Sequence, residues 1–451
     1  MRLGEACRHS SRHRHRHRHR RRLRLRLRLR LRLRRLPAGV LVACVVLATL
    51  LGCATHGPSS VPGAVTSTTG AGDRPVPTAH LTPRPDPPGD GFYQPPAPLP
   101  VGVDGDVLWS RTVPTPASFA GLADRVVQVL YLSTGALGAP TAVSGTVLVP
   151  ARMARGTPIL GYAPGTQGLG DACAASRGIA AGVNASDGAL ADALRRGWVV
   201  AVPDYQGLGT PGEHTYVVGP AEGHALLDSV RAAARVVPAV DAAGRRPVGL
   251  TGYSQGGGAA MWAAVLAPTY APDLALRGVA AGGVPADLAD VQRNLDGRPG
   301  AGLALAAAAG LDAAYPDLRL GTLLTPHGRE VFSSVRSACA ITLVIGFGGT
   351  RIADLTTTDP LTLPRWRARL AENTLDGRKS PRVPVYLYQA VSDSLVPFGQ
   401  AARLRADLCA RRVAVTWVPF PGDHIDGVAR SDGAMRFLAD RFSGAPVGGN
   451  C

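Results

Sequence analysis

The sequence predicts an α/β fold with a mostly parallel central sheet and an inserted helical cap. Short apolar runs alternate with helical stretches from about residue 158 onward, and glycine and proline residues separate them. One Ala/Leu-rich stretch, at about 283–381, interrupts the alternation. Strands that alternate with helices require crossover connections, which give a sheet covered on both faces. We therefore expect a domain of this kind over residues 102–451.

The elements of this domain can be assigned in chain order. Three β-rich segments at 107–113, 125–132 and 142–149 predict an antiparallel start to the sheet. Further strands are predicted at 158–163, 198–202, 248–253, 276–281, 383–388 and 413–418. Helices are predicted at 187–196, 220–236, 256–266, 398–409 and 428–442.

The stretch 283–381 is too long for an ordinary connection within a domain. It contains helical segments such as 301–309 and 361–375 but no clear strand. A helical cap inserted after the strand at 276–281 explains this pattern. Pro364 disfavours one continuous helix over 361–375.

The basic excess of the chain belongs to its N-terminal tail. The formal charge is +17, but residues 1–36 hold 16 arginines and one acid, Glu5, which leaves 33 basic and 31 acidic residues elsewhere. A nearly neutral body argues against nucleic acid as a partner. The Arg-His and Arg-Leu repeats at 12–36 are interpreted at most as the positively charged start of an export signal.

An export signal is predicted within residues 1–53. The apolar segment 37–51 has the length of a signal-peptide core and is short for a membrane span. It runs into Leu50-Leu51-Gly52-Cys53, which resembles the bacterial lipobox, in which the cysteine is lipidated. The protein is therefore expected either as a lipoprotein anchored through Cys53 outside the cell membrane or as a secreted protein. The Pro/Gly/Ser/Thr-rich residues 54–101 are predicted to form a linker.

A motif typical of a nucleophilic serine directly follows the apolar run 248–253. Ser254 lies between Gly252 and Gly256 at G-x-S-x-G spacing, and a small-residue helix follows. This spacing is typical of a tight strand-to-helix turn that exposes the serine hydroxyl. The N-terminus of the helix offers unpaired N–H groups to a developing oxyanion, so the backbone of Gln255 is predicted as one donor.

A base and an acid follow Ser254 in the chain. His424 lies in a loop after the strand at 413–418, at the carboxyl edge of the sheet where a base can reach the serine. Asp393 follows the strand at 383–388 and is predicted to orient His424. His327 is interpreted as a loop or surface histidine, and Asp423 and Asp426 as solvated turn acids. Asp376, on the cap side, is a weaker alternative to Asp393 as the acid.

The glycine-rich loop after the strand at 158–163 is predicted to face the nucleophile. It begins Pro164-Gly-Thr-Gln-Gly, so a backbone N–H of Thr166 or Gln167 can serve as the second oxyanion donor. No metal or cofactor is needed for such a site. The body also contains four cysteines without a C-x-x-C pair, which in an exported protein indicates two disulfides.

Together these motifs resemble the secretory lipase family of α/β-hydrolases. The similarity spans roughly 102–451 and is carried by five segments: 165–176, 203–209, 252–258, 392–397 and 422–424. The resemblance implies an α/β-hydrolase fold with a Ser254–Asp393–His424 triad and an oxyanion donor near Thr166 and Gln167. It also implies two disulfides, Cys173–Cys339 and Cys409–Cys451.

The sequence thus predicts an exported serine hydrolase that cleaves carboxylic esters of lipids through an acyl-enzyme, as a triacylglycerol lipase does. Two other interpretations remain. The same triad can serve a short-chain carboxylesterase or an acyltransferase. Alternatively, the chain is a non-catalytic, lipid-binding envelope lipoprotein, although serine, acid and histidine in the order of the fold disfavour this interpretation.

Overall fold

The computed structural model describes residues 80–184, 186–238 and 245–451. The Arg-rich tail, the apolar segment 37–51, Cys53 and linker residues 54–79 lie outside the described residues. None of the described helices is long and apolar enough to cross a membrane.

Nine strands of the described chain form one sheet. The spatial order is β1-β2-β3-β5-β4-β6-β7-β8-β9. The pairs β1–β2, β2–β3 and β3–β5 are antiparallel, and the remaining pairs are parallel. The predicted mostly parallel sheet with an antiparallel start is therefore confirmed. The bounds are β1 Val107–Val113, β2 Ala123–Thr134, β3 Pro140–Pro150, β4 Ile159–Ala163, β5 Val199–Pro203, β6 Pro247–Tyr253, β7 Ala275–Gly282, β8 Val385–Ala390 and β9 Val415–Phe420.

Helices cover both faces of this sheet. The group α3, α4 and α11 packs on one face, and α1, α2 and α13 pack on the other. The bounds are α1 Ala175–Ala180, α2 Asp187–Arg195, α3 Gly219–Val236, α4 Gln255–Tyr270, α5 Leu288–Leu295, α6 Ala301–Ala314, α7 Pro326–Ser337, α8 Ala340–Ile345, α9 Ile352–Leu355, α10 Pro364–Glu372, α11 Phe398–Ala410, α12 His424–Val428 and α13 Ser431–Phe442.

The cap consists of α5 to α10, between β7 and β8. These helices enclose an apolar core of their own, in which Phe332 and Trp366 are fully or almost fully buried. Pro364 occupies the first turn of α10, after a short 3₁₀ turn at Pro360–Thr362. Proline is accepted there because the first N–H groups of a helix have no partner within it, so the residue begins a helix and divides the stretch 361–375.

Two disulfides link distant parts of the described chain. Cys173, in the loop after β4, is bonded to Cys339 at the start of α8 in the cap. Cys409, in α11, is bonded to Cys451. These are the two pairings that the family resemblance implies.

Two local features differ from the expectation based on the sequence. Residues 80–101, placed in a linker by composition, pack against the sheet: Phe92 and Tyr93 are buried, and the Trp109 indole donates to the Phe92 carbonyl at 2.8 Å. The helix expected at 428–442 begins at Ser431 instead, and residues 424–428 form the separate short helix α12. For residues 80–101, tertiary contacts outweigh the local composition.

Candidate active site

Ser254 occupies the tight turn between β6 and α4. Its backbone adopts φ 60° and ψ −124°, a conformation that residues with a side chain rarely hold. A Cβ on Gly252 would overlap the Gly256 carbonyl, and a Cβ on Gly256 would overlap the Ala163 carbonyl. The two flanking glycines are therefore required by the close approach of β4, β6 and α4. The turn places the serine hydroxyl at the carboxyl edge of the sheet.

His424 joins Ser254 to Asp393 through hydrogen bonds. The His424 Nε2 lies 2.9 Å from Ser254 Oγ, and its Nδ1 lies 2.8 and 3.0 Å from the two Asp393 carboxylate oxygens. An Nδ1–H that donates to the carboxylate leaves Nε2 as the acceptor for the serine hydroxyl. Both His424 and Asp393 are buried. This is the arrangement of a nucleophile, a base and an orienting acid.

The loop after β8 fixes the orientation of Asp393. Its Oδ1 accepts the backbone N–H groups of Leu395 and Val396 at 3.0 and 2.8 Å. Its Oδ2 accepts from the Gln389 amide at 2.7 Å. Because all these donors belong to one strand end and its loop, groups close in sequence set the carboxylate position.

Asp423 and Asp426 have a larger role than that of solvated turn acids. Asp423 accepts the backbone N–H of Ser394 and that of His424, each at 2.7 Å, and Asp426 accepts the Asp423 N–H at 2.7 Å. These contacts cap α12 and join the loop of His424 to the loop of Asp393. The signal for this cap was present in the spacing of two acids around a helix start.

The other histidine and the other acid considered from the sequence lie away from this constellation. His327 is exposed in α7 of the cap, where its ring lies 3.8 Å from Glu330. Asp376 is paired with Arg378 at 2.6 Å. Within residues 80–184, 186–238 and 245–451, no cluster of three or more histidine, cysteine or acidic side chains could hold a metal ion.

The predicted oxyanion donors surround the serine. Gln255 is the first residue of α4, so its backbone N–H has no partner within the helix. Thr166 and Gln167 line the same open groove as Ser254 and His424. The Gln167 carbonyl accepts the Ala340 N–H at 2.7 Å, which ties this loop to the cap. The structure brings these residues together, and their action on an oxyanion stays a prediction.

Two spaces meet at Ser254. The open groove runs between the loop of Thr166, α8 of the cap and α12. A second, narrower cavity leads from Ser254 under the cap. It shares Leu288, Gln292, Ala304 and Ala307 with a third cavity that lies deeper among the cap helices. Ser254 therefore faces both an open groove and a mostly apolar interior space.

The fold and this constellation together define an α/β-hydrolase-fold protein whose Ser, Asp and His follow one another in the chain order of that class. Within the class, the chain belongs to the secretory lipase family, whose pattern matches residues 176–450. The family resemblance expected from the sequence motifs is confirmed.

Similar proteins include one named as a lipase and one named as a probable inactive lipase. A secreted triacylglycerol lipase of Malassezia globosa is 32% identical over 383 residues, covering 80% of this chain and 81% of that protein. A probable inactive lipase of Mycobacterium tuberculosis is 31% identical over 383 residues, covering 79% and 83%. Among solved structures, Candida antarctica lipase A superposes with a TM-score of 0.72 at 26% identity, covering 81% of this chain and 88% of that chain.

Proposed function

We propose that this protein is an exported serine hydrolase that cleaves carboxylic ester bonds of lipids. The observation that carries the proposal is the hydrogen-bonded series Ser254–His424–Asp393, which opens on a mostly apolar cavity under the cap. Membership of the secretory lipase family supports the substrate class. Because one similar protein is named as inactive, the geometry of the triad has more weight here than family membership.

The reaction would proceed through an acyl-enzyme. Ser254 Oγ attacks the ester carbonyl carbon while its proton passes to His424 Nε2, and Asp393 stabilises the imidazolium that results. The carbonyl oxygen becomes an oxyanion and accepts N–H groups from Gln255 and from Thr166 or Gln167. His424 then gives the proton to the leaving alcohol oxygen. Water, activated by the same histidine, releases the carboxylic acid and restores Ser254.

The two spaces at Ser254 suit the two parts of a lipid ester. The cavity under the cap is lined by Leu288, Leu303 and Ala307 and would take the acyl chain, since each buried methylene contributes about 0.8 kcal/mol. The open groove would take the alcohol part. It is bordered by exposed Ile425 and Val428 on α12.

The proposal includes export of the protein. Its more specific version adds lipid attachment at Cys53. The two disulfides suit an oxidising compartment outside the cytoplasm. Mass determination of the mature N-terminus decides between the forms. A lipidated Cys53 supports an anchored lipoprotein, and an unmodified N-terminus supports plain secretion.

The test of the reaction is the variant Ser254→Ala. It should abolish hydrolysis of p-nitrophenyl esters and labelling by a fluorophosphonate, while its melting temperature stays near that of the wild type. The matched control is Ser443→Ala, which removes an exposed hydroxyl at the end of α13. Retained activity in Ser254→Ala would exclude the assignment.

Rates over a series of acyl chain lengths separate a lipase from its enzymatic alternatives. A preference for long, emulsified esters supports a lipase, and a preference for short, soluble esters supports a carboxylesterase. Transfer of the acyl group to an added alcohol in preference to water would indicate an acyltransferase.

A further inference from the structure

A buried polar cluster lies behind the nucleophile and contacts Gln255. The Gln255 side-chain amide donates to Glu222 Oε1 at 2.7 Å, and its Nε2 lies 3.4 Å from His214 Nε2. His214 Nδ1 lies 2.9 Å from the Gln206 carbonyl, so Nδ1 is the donor and Nε2 is an acceptor. Glu222, His214 and Gln255 are each 2% exposed. The residue that carries one proposed oxyanion donor is therefore held by its side chain.

The same cluster contacts the loop that carries the other proposed donor. The Tyr205 hydroxyl donates to the Pro164 carbonyl at 2.8 Å, and the Tyr216 hydroxyl lies 2.7 Å from Thr166 Oγ1. The His214 ring lies against both tyrosines, with centroid distances of 6.1 and 5.9 Å. One set of contacts thus joins the two sides of the proposed oxyanion hole. It includes part of the segment 203–209, which has no role in the proposed catalytic steps.

Glu222 is the central hydrogen-bond acceptor of this cluster. Its Oε1 accepts the Val217 backbone N–H at 2.8 Å in addition to the Gln255 amide. Val217 has φ 55°, a rare conformation for a β-branched residue, and it lines the cavity next to Ser254. Glu222 forms no salt bridge with any arginine, lysine or histidine of the described chain. Both hydrogen bonds that its Oε1 accepts come from uncharged donors.

We propose that Glu222 is a positioning residue of this hydrolase, and that its uncharged form is the competent one. Through Gln255 it holds the N-terminus of α4 toward the oxyanion, and through Val217 it holds the adjoining cavity wall. An ionised carboxylate at this place would oppose the negative charge that develops on the substrate oxygen, whereas the neutral acid accepts the same two hydrogen bonds. This inference rests on the proposed function.

Among the titratable groups of this cluster, Glu222 is the one whose pKa lies nearest to neutral pH. Burial raises the pKa of Glu222 to about 8, although hydrogen bonds from Gln255 and Val217 favour the charged form. Burial lowers the pKa of His214 to about 4. Burial also raises the pKa of Tyr205 and that of Tyr216 further above the ordinary tyrosine range. Ionisation of the cluster above about pH 8 therefore belongs to Glu222.

The experiment compares Glu222→Gln and Glu222→Ala with the wild type by measuring kcat and KM for one ester from about pH 6 to 9.5. Glu222→Gln keeps a neutral acceptor, so we expect near-wild-type kcat at pH 7 and loss of the alkaline decline centred near pH 8. Glu222→Ala should lower kcat by about ten- to a hundredfold with little change in KM.

The matched control is Asp228→Asn, another buried acid on α3. Asp228 accepts hydrogen bonds from Ser133 and Tyr270 and pairs with Arg231, away from Gln255. This variant should change the melting temperature while keeping the wild-type pH profile of kcat. A purely structural role for Glu222 predicts the same behaviour for both acids.

Three outcomes would overturn the inference. The first is an alkaline decline in Glu222→Gln equal to that of the wild type, which decides the matter even if Glu222→Ala does not fold. The second is an unchanged kcat in a folded Glu222→Ala. In either case an active, fluorophosphonate-labelled wild type leaves the proposed hydrolase function intact. The third is a wild type that neither cleaves esters nor reacts with the fluorophosphonate, which overturns both proposals.

Discussion

The sheet and the cap hold their functional side chains in different ways. In the sheet, Ser254, Asp393 and His424 each lie at a strand end, where backbone hydrogen bonds and a glycine-framed turn set their positions. In the cap, helices pack through apolar side chains around Phe332 and Trp366, and their spacing defines a cavity. We infer that the sheet determines the reaction, whereas side-chain volumes in the cap determine which acyl chains are accepted.

The largest expected effect tests the sheet side of this comparison. Asp393→Asn should lower kcat by about 10⁴-fold, or about 5.5 kcal/mol, because the amide favours the wrong His424 tautomer. The loss should be equal for short and long acyl chains, as measured with p-nitrophenyl esters. Asp376→Asn, which alters a partly exposed acid paired with Arg378, should retain full activity. A loss of activity that depended on acyl chain length would contradict the inference that the sheet determines the reaction and the cap the accepted acyl chains.

The next effect concerns the covalent link between the two regions. Replacing Cys173 and Cys339 by serine should lower the free energy of unfolding by about 2–5 kcal/mol, measured by urea denaturation. It should also lower kcat/KM, because Cys339 pairs with Gly168 and precedes Ala340, whose N–H donates to the Gln167 carbonyl.

The second disulfide is the matched control for this experiment. Replacing Cys409 and Cys451 by serine opens a shorter loop, with a sequence separation of 42 instead of 166, far along the chain from the loop of Thr166 and Gln167. We expect a similar or smaller loss of stability with unchanged kcat/KM. Equal losses of activity in both double variants would argue against a specific role of the Cys173–Cys339 disulfide.

A smaller effect tests the cap side. Ala307 lines both cavities under the cap, so the series Ala307→Val, Ala307→Leu and Ala307→Trp should progressively shorten the accepted acyl chain. For Ala307→Trp we expect the ratio of long- to short-chain kcat/KM to fall by about ten- to a hundredfold, or about 1.4–2.7 kcal/mol. Short-chain esters serve as the internal control. An unchanged ratio would place the acyl chain elsewhere.

The smallest expected effect is a pH dependence of stability caused by Glu222, on helix α3, which packs against the sheet. The pKa of Glu222 is raised from its ordinary value of 4.5 to about 8, so the folded state retains a proton that the unfolded state releases. Stability should therefore fall as the pH rises from about 4.5 to 8, by about 1 kcal/mol between pH 7 and 8. Denaturation of Glu222→Gln at these two pH values should show a smaller fall. A steeper fall in the variant would contradict the sign of the shift.

Most features of the sheet, including the residues at its carboxyl edge, could be predicted from the sequence. A buried parallel strand is a continuous apolar run, and the residues just after it lie at one edge, so Ser254, Asp393 and His424 could be placed from strand order alone. The cap was recognisable only as an interruption of that order. Its cavity depends on the packing of α5 to α10, which no local pattern encodes.

Other features depended on contacts between residues distant in the chain. Residues 80–101 have the composition of a linker, and only the placement of Phe92 and Tyr93 against the sheet reveals their role. Glu222 is an acid near the start of a helix, and its sequence surroundings do not distinguish a buried helix face from an exposed one. Tertiary packing around Gln255 makes that distinction.

The bond between Cys173 and Cys339 closes a covalent ring that contains Ser254, whereas Asp393 and His424 lie outside it. A protease that cuts the chain once within this ring, for example in α6 or α7 of the cap, would leave the two fragments joined through the disulfide. Such a nicked protein should migrate as one species without reductant and as two with it. The ring therefore allows the chain to be cleaved once in its cap without losing the fragment that carries Ser254.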